Sequence, residues 1–356
     1  MKLSNAGKTA LILGAGIAVS VSLLLAWYSR GVTAPNLDSD YSALTVDSEV
    51  SLRFAAVGDF SANDNTRAVL EKIADERPDL TLALGDLSYG TVTEQEWCAM
   101  VTDALGDSHP FQLIAGNHDI LANPDKPQGH IDNFAACLPN KMSGMKGEYA
   151  QNYYFDYESL ARFIMISPDI AVDGREYSYE VGQADYDWLS NSIDDARESE
   201  IGWVIVGMHK NCITVGVKTC EIGTDLLDLL AEKKVDLVVQ GHEHGYFRSK
   251  QLVVSDLCPS LQPDGYSDSC VENGDGEENK VYQKGEGTLL SIPGTGGQEL
   301  RSVHIDRPDA QYFAYWSGKD EDPAYGPMIV DLEADRLNAH FSGVDGVRRD
   351  MFSINR

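Results

Sequence analysis

Carboxylate, amide, phenol and imidazole side chains recur in this chain just after short apolar runs, each time beside a glycine. Carboxylate and phenolate oxygens suit a trivalent cation, and imidazole nitrogens suit Zn²⁺, Fe²⁺ or Mn²⁺. A single Gly-Asp after a strand is typical of a turn, but five such motifs indicate a shared site. The motifs are Gly58-Asp59, Gly85-Asp86-Leu87-Ser88-Tyr89, Gly116-Asn117-His118-Asp119, Gly207-Met208-His209 and Gly241-His242-Glu243-His244.

The motifs follow β-branched apolar runs that alternate with segments of helical spacing, a pattern typical of an α/β fold. Strands are predicted at Leu52–Val57, Leu80–Leu84, Phe111–Ala115, Tyr153–Tyr157, Arg162–Ser167, Trp203–Val206, Val235–Gln240, Gly287–Ile292, Met328–Leu332 and Leu337–Phe341. Helices are predicted at Thr66–Glu76, Glu94–Leu105, Ala184–Glu198 and Thr224–Lys234. Because the carboxyl ends of strands in such sheets line the ligand crevice, the five motifs are expected to converge there.

In kind and order, these motifs resemble the five motif blocks of the calcineurin-like metallophosphoesterases. Two later segments, Gly294-Thr295-Gly296-Gly297 and Met351-Phe352-Ser353-Ile354, are also similar to that family. The resemblance implies one catalytic domain over residues 51–356. Its fold class would be α/β, a four-layer αββα sandwich of two mixed sheets flanked by helices.

Two positions make the chain resemble the purple acid phosphatases within that superfamily. Most members place a His two residues after the first Asp, where this chain has Ser61, and the second motif here has the Gly-Asp-x-x-Tyr form. The resemblance implies a tyrosinate-bound Fe(III) paired with Zn(II), Fe(II) or Mn(II). The implied ligands are Asp59, Tyr89 and His244 for the first ion, Asn117, His209 and His242 for the second, and Asp86 between them. The alternative for Tyr89 is a buried tyrosine that contacts no metal.

Such a centre predicts hydrolysis of phosphate monoesters by in-line attack of metal-bound hydroxide, without a phosphoenzyme, because two cations clamp the oxygens and generate the nucleophile. The resemblance places His118 at the substrate, as general acid or as stabiliser of the transferring phosphoryl group. Asp119 would orient His118 or, alternatively, cap the next turn. Competing functions are a phosphodiesterase or nucleotide hydrolase on the same metal core, or a metal-binding surface module without catalysis.

Weaker candidates for substrate contact are Asn117, His118, His130 and Lys210. The segment Leu257–Lys284 is rich in Asp, Glu, Gly and Ser and is interpreted as a solvated loop. A Ca²⁺ site there would be the alternative, but the acidic residues lack EF-hand spacing.

The charge balance restricts the class of partner. Lys and Arg number 28 against 56 Asp and Glu, for a net charge of -28. A strongly acidic surface excludes nucleic-acid binding, which needs a basic footprint. The expected partner is a small phosphorylated substrate, and nothing in the composition identifies a protein partner.

The N-terminal region predicts export. Residues 9–28 carry no charge and are long enough to span a bilayer as one hydrophobic helix, with Lys2 and Lys8 on the inner side. Residues 1–30 are therefore interpreted as a transmembrane anchor or a cleaved signal sequence, and residues 31–50 as a tether. The catalytic domain is expected outside the cytoplasm, either anchored or secreted. Because only residues 31–50 separate the hydrophobic run from the first strand, no additional N-terminal sandwich domain is expected.

An even number of cysteines agrees with export, although six cysteines allow 15 connectivities. Short sequence separation favours Cys212 with Cys220 and Cys258 with Cys270, which leaves Cys98 with Cys137. Buried free thiols are the alternative, and they would be favoured in a reducing compartment.

Overall fold

The first half of the fold follows the predicted alternation of strands and helices. The computed structural model describes residues 51–120, 128–138, 140–272 and 280–356. Helix α1 (Asp64–Glu76) begins two residues before its predicted start because the Asn63 side chain accepts a hydrogen bond from the Thr66 amide. Helix α2 (Glu94–Leu105) begins as predicted, at a capping box formed by Thr93 and Glu96.

The remaining described elements are three helices, nineteen strands and two short 3₁₀ turns, joined by turns and loops. The helices are α3 (Ile131–Cys137), α4 (Ala184–Glu198) and α5 (Thr224–Glu232), and the 3₁₀ turns are Asp268–Cys270 and Pro308–Tyr312. The strands are β1 (Leu52–Val57), β2 (Leu80–Ala83), β3 (Phe111–Leu113), β4 (Lys146–Glu148), β5 (Asn152–Tyr157), β6 (Ala161–Ile166), β7 (Ala171–Val172), β8 (Arg175–Glu176), β9 (Trp203–Met208), β10 (Leu237–Gln240), β11 (Tyr246–Ser249), β12 (Gln251–Leu252), β13 (Val271–Glu272), β14 (Val281–Gln283), β15 (Leu289–Pro293), β16 (Phe313–Ser317), β17 (Met328–Leu332), β18 (Arg336–Ser342) and β19 (Arg348–Asn355).

Two mixed sheets contain most of these strands. The first has seven strands in the order β14-β19-β18-β17-β1-β2-β3, and the second has eight in the order β16-β11-β15-β10-β9-β6-β5-β4. Neighbours β1, β2 and β3 are parallel, as are β6, β9, β10 and β15, whereas the outer pairs are mainly antiparallel. The parallel strands carry the five motifs, so their carboxyl ends lie at one edge of each sheet.

Three apolar clusters arrange the sheets and helices in four layers. Side chains of both sheets form the central cluster, where the Phe54 and Phe163 rings meet edge to face at 5.2 Å. Alternate residues of β1 face α1 and α2, as Val57 does in the cluster that includes Leu70 and Trp97. A third cluster covers the other sheet beneath α4 and α5. The predicted αββα sandwich is confirmed.

Several elements differ from the sequence-based expectation. Strands β11, β16 and β19 were not predicted, and the segment Leu257–Lys284 holds β13, β14 and a 3₁₀ turn rather than loop alone. Strands β13 and β14 have only two and three residues, too few to show an alternating pattern.

The predicted hydrophobic helix and tether, residues 1–50, lie outside the described residues, and the three-part division of the chain stays a prediction. Within the ranges that the structure describes, no helix has the length and apolar character needed to cross a membrane.

All six cysteines lie in the described residues, and all are paired. The disulfides are Cys98–Cys137, Cys212–Cys220 and Cys258–Cys270. The first joins α2 to the end of α3, and the second closes the loop that follows β9. The preferred pairing is thereby confirmed, and the alternative of free thiols is wrong.

A buried ion pair connects the two sheets. Arg248 on β11 donates to both carboxylate oxygens of Asp350 on β19, at 2.8–3.0 Å, and both side chains are almost fully buried. The Tyr246 hydroxyl also donates to Asp350, at 3.0 Å, and Arg248 contacts the Tyr282 hydroxyl. Because these charges satisfy one another away from water, losing one would leave the other uncompensated.

Replacing Asp350 by Asn tests this pair, since Asn keeps the shape and tolerates the left-handed backbone found there (φ 46°). We expect the free energy of unfolding to fall by about 3 kcal/mol, measured by urea denaturation. The control Asp345→Asn removes a carboxylate from a half-exposed pair with Arg349 and should cost less than about 1 kcal/mol. Equal, small losses in both variants would contradict the assignment.

Candidate metal centre

The loops that follow five parallel strands meet at one place and bond to one another. Asp59 follows β1 and donates its amide to the Gly85 carbonyl after β2, at 3.1 Å. His209 directly follows β9, and its carbonyl accepts from the Gly241 amide after β10, at 2.9 Å. The predicted convergence of the motifs is confirmed, because their side chains lie within contact of each other across both sheets.

Four of the side chains predicted as metal ligands lie together and form one donor group, meaning a group of atoms that can bind a metal ion. The His209 Nε2 atom lies 3.1 Å from His242 Nδ1, 3.2 Å from Asn117 Oδ1 and 3.4 Å from Asp86 Oδ2. Asp86, His209 and His242 are all buried. Their ligand atoms are close enough together to bind a single metal ion.

The outer hydrogen bonds of the two imidazoles determine which nitrogen faces this group. His209 Nδ1 lies 2.7 Å from the Leu84 carbonyl, which can only accept, so Nδ1 carries the hydrogen. His242 Nε2 lies 2.7 Å from a carboxylate oxygen of Glu221 and is likewise the donor. If both rings are neutral, His209 Nε2 and His242 Nδ1 carry no hydrogen, and their lone pairs face each other across 3.1 Å. Such an arrangement requires a proton or a cation between them.

The pKa values of the two histidines also indicate that this group requires a positive charge. Burial lowers the pKa of His209, but the Asp86 carboxylate more than offsets this effect, and the pKa rises to about 9. Burial lowers the pKa of His242 to about 4, although Glu221 opposes the shift. A single proton on His209 can satisfy only part of this set of acceptors, whereas a metal ion satisfies all of them. The donor set fits an ion of the kind that imidazoles bind.

Three further side chains form a second group beside the first. The Tyr89 hydroxyl lies 3.1 Å from Asp59 Oδ1 and 3.1 Å from His244 Nε2, and that nitrogen is 3.5 Å from Asp59 Oδ1. His244 Nδ1 donates to the Glu299 carbonyl at 2.9 Å, which leaves Nε2 bare in the neutral ring. One phenolic proton thus serves two acceptors.

Burial raises the pKa of Asp59 to about 7. Burial and the carboxylates of Asp59 and Asp86 raise the pKa of Tyr89 well above its ordinary value. Tyr89 would therefore lose its proton only if a strongly charged cation bound its oxygen, because such a cation stabilises the phenolate. Asp86 affects both groups, since it lies 3.4 Å from His209 and also hinders the ionisation of Tyr89. This position suits a carboxylate that is shared by two ions.

The backbone of the site is held in unfavourable conformations. Asp59, Asp86, Tyr89 and His242 all have positive φ, between 54° and 72°. For residues other than glycine this conformation costs roughly 1–2 kcal/mol each, and such strain is concentrated at functional sites. Gly116 allows the close approach of two loops, because a Cβ there would lie 2.3 Å from the Asp86 amide and carboxylate.

The two residues after Asn117 occupy different environments. His118 is exposed, its ring lies 4.5 Å from that of Tyr89, and its amide donates to Asp86 Oδ1 at 2.8 Å. Asp119 is fully buried and accepts from the backbone amides of Asp86, Leu87 and Gly116, at 2.6–2.9 Å. These bonds join the loops after β2 and β3, which precede Asp119 in the chain, and capping of the next turn stays a prediction. An orienting effect on His118 stays a prediction.

Acidic partners surround the two weaker candidates for substrate contact. His130 caps α3, and its Nε2 atom lies 3.4 Å from Asp173. The Lys210 ammonium lies 2.5 Å from Asp169 and 3.0 Å from Glu221. A phosphate would meet carboxylates at both positions, and the phosphate contacts of His130 and Lys210 stay predictions.

Glu221, which contacts His242, was not predicted from the sequence. Arg301, which donates to the His242 carbonyl at 3.2 Å, was not predicted either. Glu221 adjoins Cys220, but the predicted Cys212–Cys220 pairing does not by itself place Glu221 beside His242, because that contact joins two separate loops. No motif indicates Arg301.

Comparison with known proteins agrees with this geometry. The family model described as calcineurin-like phosphoesterase matches residues 52–246. Probable purple acid phosphatase 20 of Arabidopsis thaliana is 25% identical over 231 residues, which cover 61% of this chain and 51% of that protein. An uncharacterised protein of Mycobacterium tuberculosis is 29% identical over 213 residues, 55% of this chain and 39% of that one. The chain spans about half the length of the curated relatives it matches.

Solved structures share the fold. The purple acid phosphatase PPD1 from yellow lupin (Lupinus luteus) seeds has a TM-score of 0.63 at 16% identity, over 86% of this chain and 54% of that one. The structure of PhoD has a TM-score of 0.52 at 11% identity, over 82% of this chain and 66% of that one. Identities this low establish only the fold. Because the family model covers more than half of the chain and includes all five motifs, this protein belongs to the calcineurin-like phosphoesterase family.

Proposed function

We propose that this protein is a two-metal phosphatase of the purple acid phosphatase kind, which hydrolyses phosphate monoesters. One observation carries the proposal: bare imidazole nitrogens and carboxylate oxygens from five strand-end loops face one another in two adjoining groups. Buried acceptors that repel each other in this way are stable only around positive charge. The family membership and the purple acid phosphatase relatives support the same function.

Each group of donors suits a different ion. Asp59, Tyr89 and His244 would hold the first, and the phenol and carboxylate oxygens favour Fe(III). Asn117, His209 and His242 would hold the second, where Zn(II), Fe(II) or Mn(II) fits the imidazoles. Asp86 would contact both. A trivalent and a divalent ion outweigh the negative charges of the two carboxylates and the tyrosinate, so the centre attracts phosphate although the protein carries a net charge of -28.

The chain contributes positioning and proton transfer to the proposed reaction. When bound, the two cations neutralise phosphate oxygens and supply a deprotonated water as nucleophile. The exposed His118 ring lies against Tyr89, at the entrance to the donor groups, where it can give a proton to the departing alkoxide. Its backbone is fixed through the bond from its amide to Asp86. No nucleophilic side chain needs to be phosphorylated in this scheme.

We propose a location outside the cytoplasm. Three disulfides use every cysteine of the chain, and such bonds persist in oxidising compartments. The uncharged run at residues 9–28 supplies either an anchor or a secretion signal. The substrate is expected to be a small phosphate ester, because the acidic surface repels nucleic acid.

Hydrolysis of p-nitrophenyl phosphate tests the function, with bis(p-nitrophenyl) phosphate as the competing substrate. We expect the monoester to be cleaved faster, and chelation of both ions to abolish cleavage of either compound. The visible absorbance of the released p-nitrophenolate, read after the sample is made alkaline, measures both reactions. Exclusive cleavage of the diester would make the protein a phosphodiesterase, and chelator-resistant activity would exclude the metal centre as the site of reaction.

Replacing His118 by Ala tests the proposed proton donor. We expect kcat to fall by roughly 10²- to 10⁴-fold while both ions are retained, because His118 supplies a proton rather than a ligand. Metal content per chain and steady-state kinetics provide the two readouts. The control His304→Ala removes an exposed imidazole elsewhere and should leave both unchanged. Full activity of His118→Ala would rule out the assignment.

Replacing Tyr89 by Phe tests the tyrosinate. The variant keeps the ring beside His118 but lacks the phenolic oxygen, so the visible charge-transfer band of the oxidised, iron-loaded protein should disappear. The band should survive in the control Tyr315→Phe, since the Tyr315 hydroxyl bonds to Asp322 instead. A wild-type protein without the band, or a Tyr89→Phe protein that retains it, would contradict tyrosinate ligation and leave the two-metal centre unaffected.

A further inference from the structure

A short loop closed by a disulfide lies against the metal-ligand motif that follows β10. This loop, residues 211–221, begins three residues after Met208, the end of β9, and the Cys212–Cys220 bond joins its two ends. The Glu221 amide donates to the Asn211 carbonyl at 3.1 Å, which closes the same ends through the backbone. We call it the disulfide loop.

Glu243, between the two ligand histidines of the last motif, anchors the disulfide loop. Its carboxylate is fully buried and accepts from the Lys218 amide and, at 3.2 Å, from the Thr214 hydroxyl. At Gly216 a Cβ would lie 2.3 Å from the Glu243 carboxylate, so the loop packs closely on it. In addition, Asn211 donates to the Gly241 carbonyl at 3.2 Å. These contacts fix the position of the loop against residues 241–243.

In this position the loop places the Glu221 carboxylate beside the His242 ring. One carboxylate oxygen lies 2.7 Å from His242 Nε2, and the other lies 3.0 Å from the Lys210 ammonium. The Lys218 ammonium is 3.8 Å from the first oxygen. Glu221 is only 27% exposed. Two lysines therefore balance its charge and hold its orientation, which gives Lys210 a role other than phosphate contact.

His242 differs in this respect from the other two histidines of the site. His209 and His244 donate their outer hydrogens to the backbone carbonyls of Leu84 and Glu299. Only His242, among these three, donates to a charged carboxylate. A carboxylate partner fixes the tautomer and makes the opposite nitrogen a stronger electron donor. The opposite nitrogen here is Nδ1, the atom that faces His209.

We propose that Glu221 is a positioning residue of the metal centre: through His242 it strengthens the binding of the second ion, and the disulfide loop exists to place it there. The proposal rests on the proposed function, because it assumes that two ions bind. It assigns the disulfide loop, Glu243 and Lys210 to the support of one ligand. The first ion, which His244 would hold, has no such support from Glu221.

Selective loss of one ion tests the proposal. The as-purified protein and its Glu221→Ala variant are dialysed against increasing concentrations of EDTA, and the ions that remain per chain are counted by mass spectrometry. We expect one of the two ions to leave Glu221→Ala at roughly 10- to 100-fold lower free chelator than in the wild type, as for other outer partners of metal ligands. The other ion should leave at the wild-type concentration.

Two further variants separate positioning from folding. Glu221→Gln keeps an oxygen that can accept from His242 Nε2, so it should recover much of the lost retention. Asp194→Ala is the matched control, because it removes a half-exposed carboxylate on α4 that pairs with Lys233 at 2.6 Å. This control should retain both ions. Thermal unfolding of the chelated forms shows whether any variant is damaged in its fold.

The outcomes are distinct. Wild-type retention of Glu221→Ala for both ions would overturn the inference and leave the proposed function intact. Equal loss of both ions with a lowered melting temperature would also overturn it, because Glu221 would then support only the fold. A wild-type protein that holds fewer than two ions would contradict the proposed function itself.

Discussion

Mutual repulsion among buried hydrogen-bond acceptors is the constraint on which the site depends. The Leu84 carbonyl and the Glu221 carboxylate take the outer hydrogens of His209 and His242, so bare nitrogens are forced together at 3.1 Å. Asp59 and Asp86 add buried negative charge next to them. Without a cation, only a proton on His209 relieves this repulsion, and its raised pKa reflects that need. Two metal ions would convert the same repulsion into binding energy.

The fold has to hold these groups together against that repulsion. Parallel strands in both sheets deliver the motifs at their carboxyl ends, and the ends bond to each other, as Asp59 does to Gly85. The left-handed backbone at several ligands adds strain. Apolar burial on both faces of the two sheets offsets this strain. The strained residues lie at the site, and the apolar burial that offsets their strain lies in the layers around it.

Ten of the nineteen described strands, four of the five described helices, the paired cysteines and the convergence of the motifs could be predicted from the sequence, because each depends on local pattern or on the rule for strand ends. Strands β13 and β14 could not, since two or three residues show no period. Glu221 was missed for a different reason. Its bond to His242 joins side chains 21 residues apart, and it depends on a disulfide and on Glu243 beneath the loop. Pairings of this kind are tertiary and leave no spacing to recognise.

The tripeptide His242-Glu243-His244 connects the two donor groups to the disulfide loop, a connection that the sequence alone does not indicate. Its imidazoles face the two donor groups, while its central carboxylate lies beneath the disulfide loop. The loop in turn returns Glu221 to His242. Ions that bind only the folded chain stabilise it by mass action, so they also stabilise this closed arrangement of loop and ligand. The disulfide loop and the donor groups are therefore joined by direct contacts at Glu243 and Glu221, so a change in one is expected to reach the other.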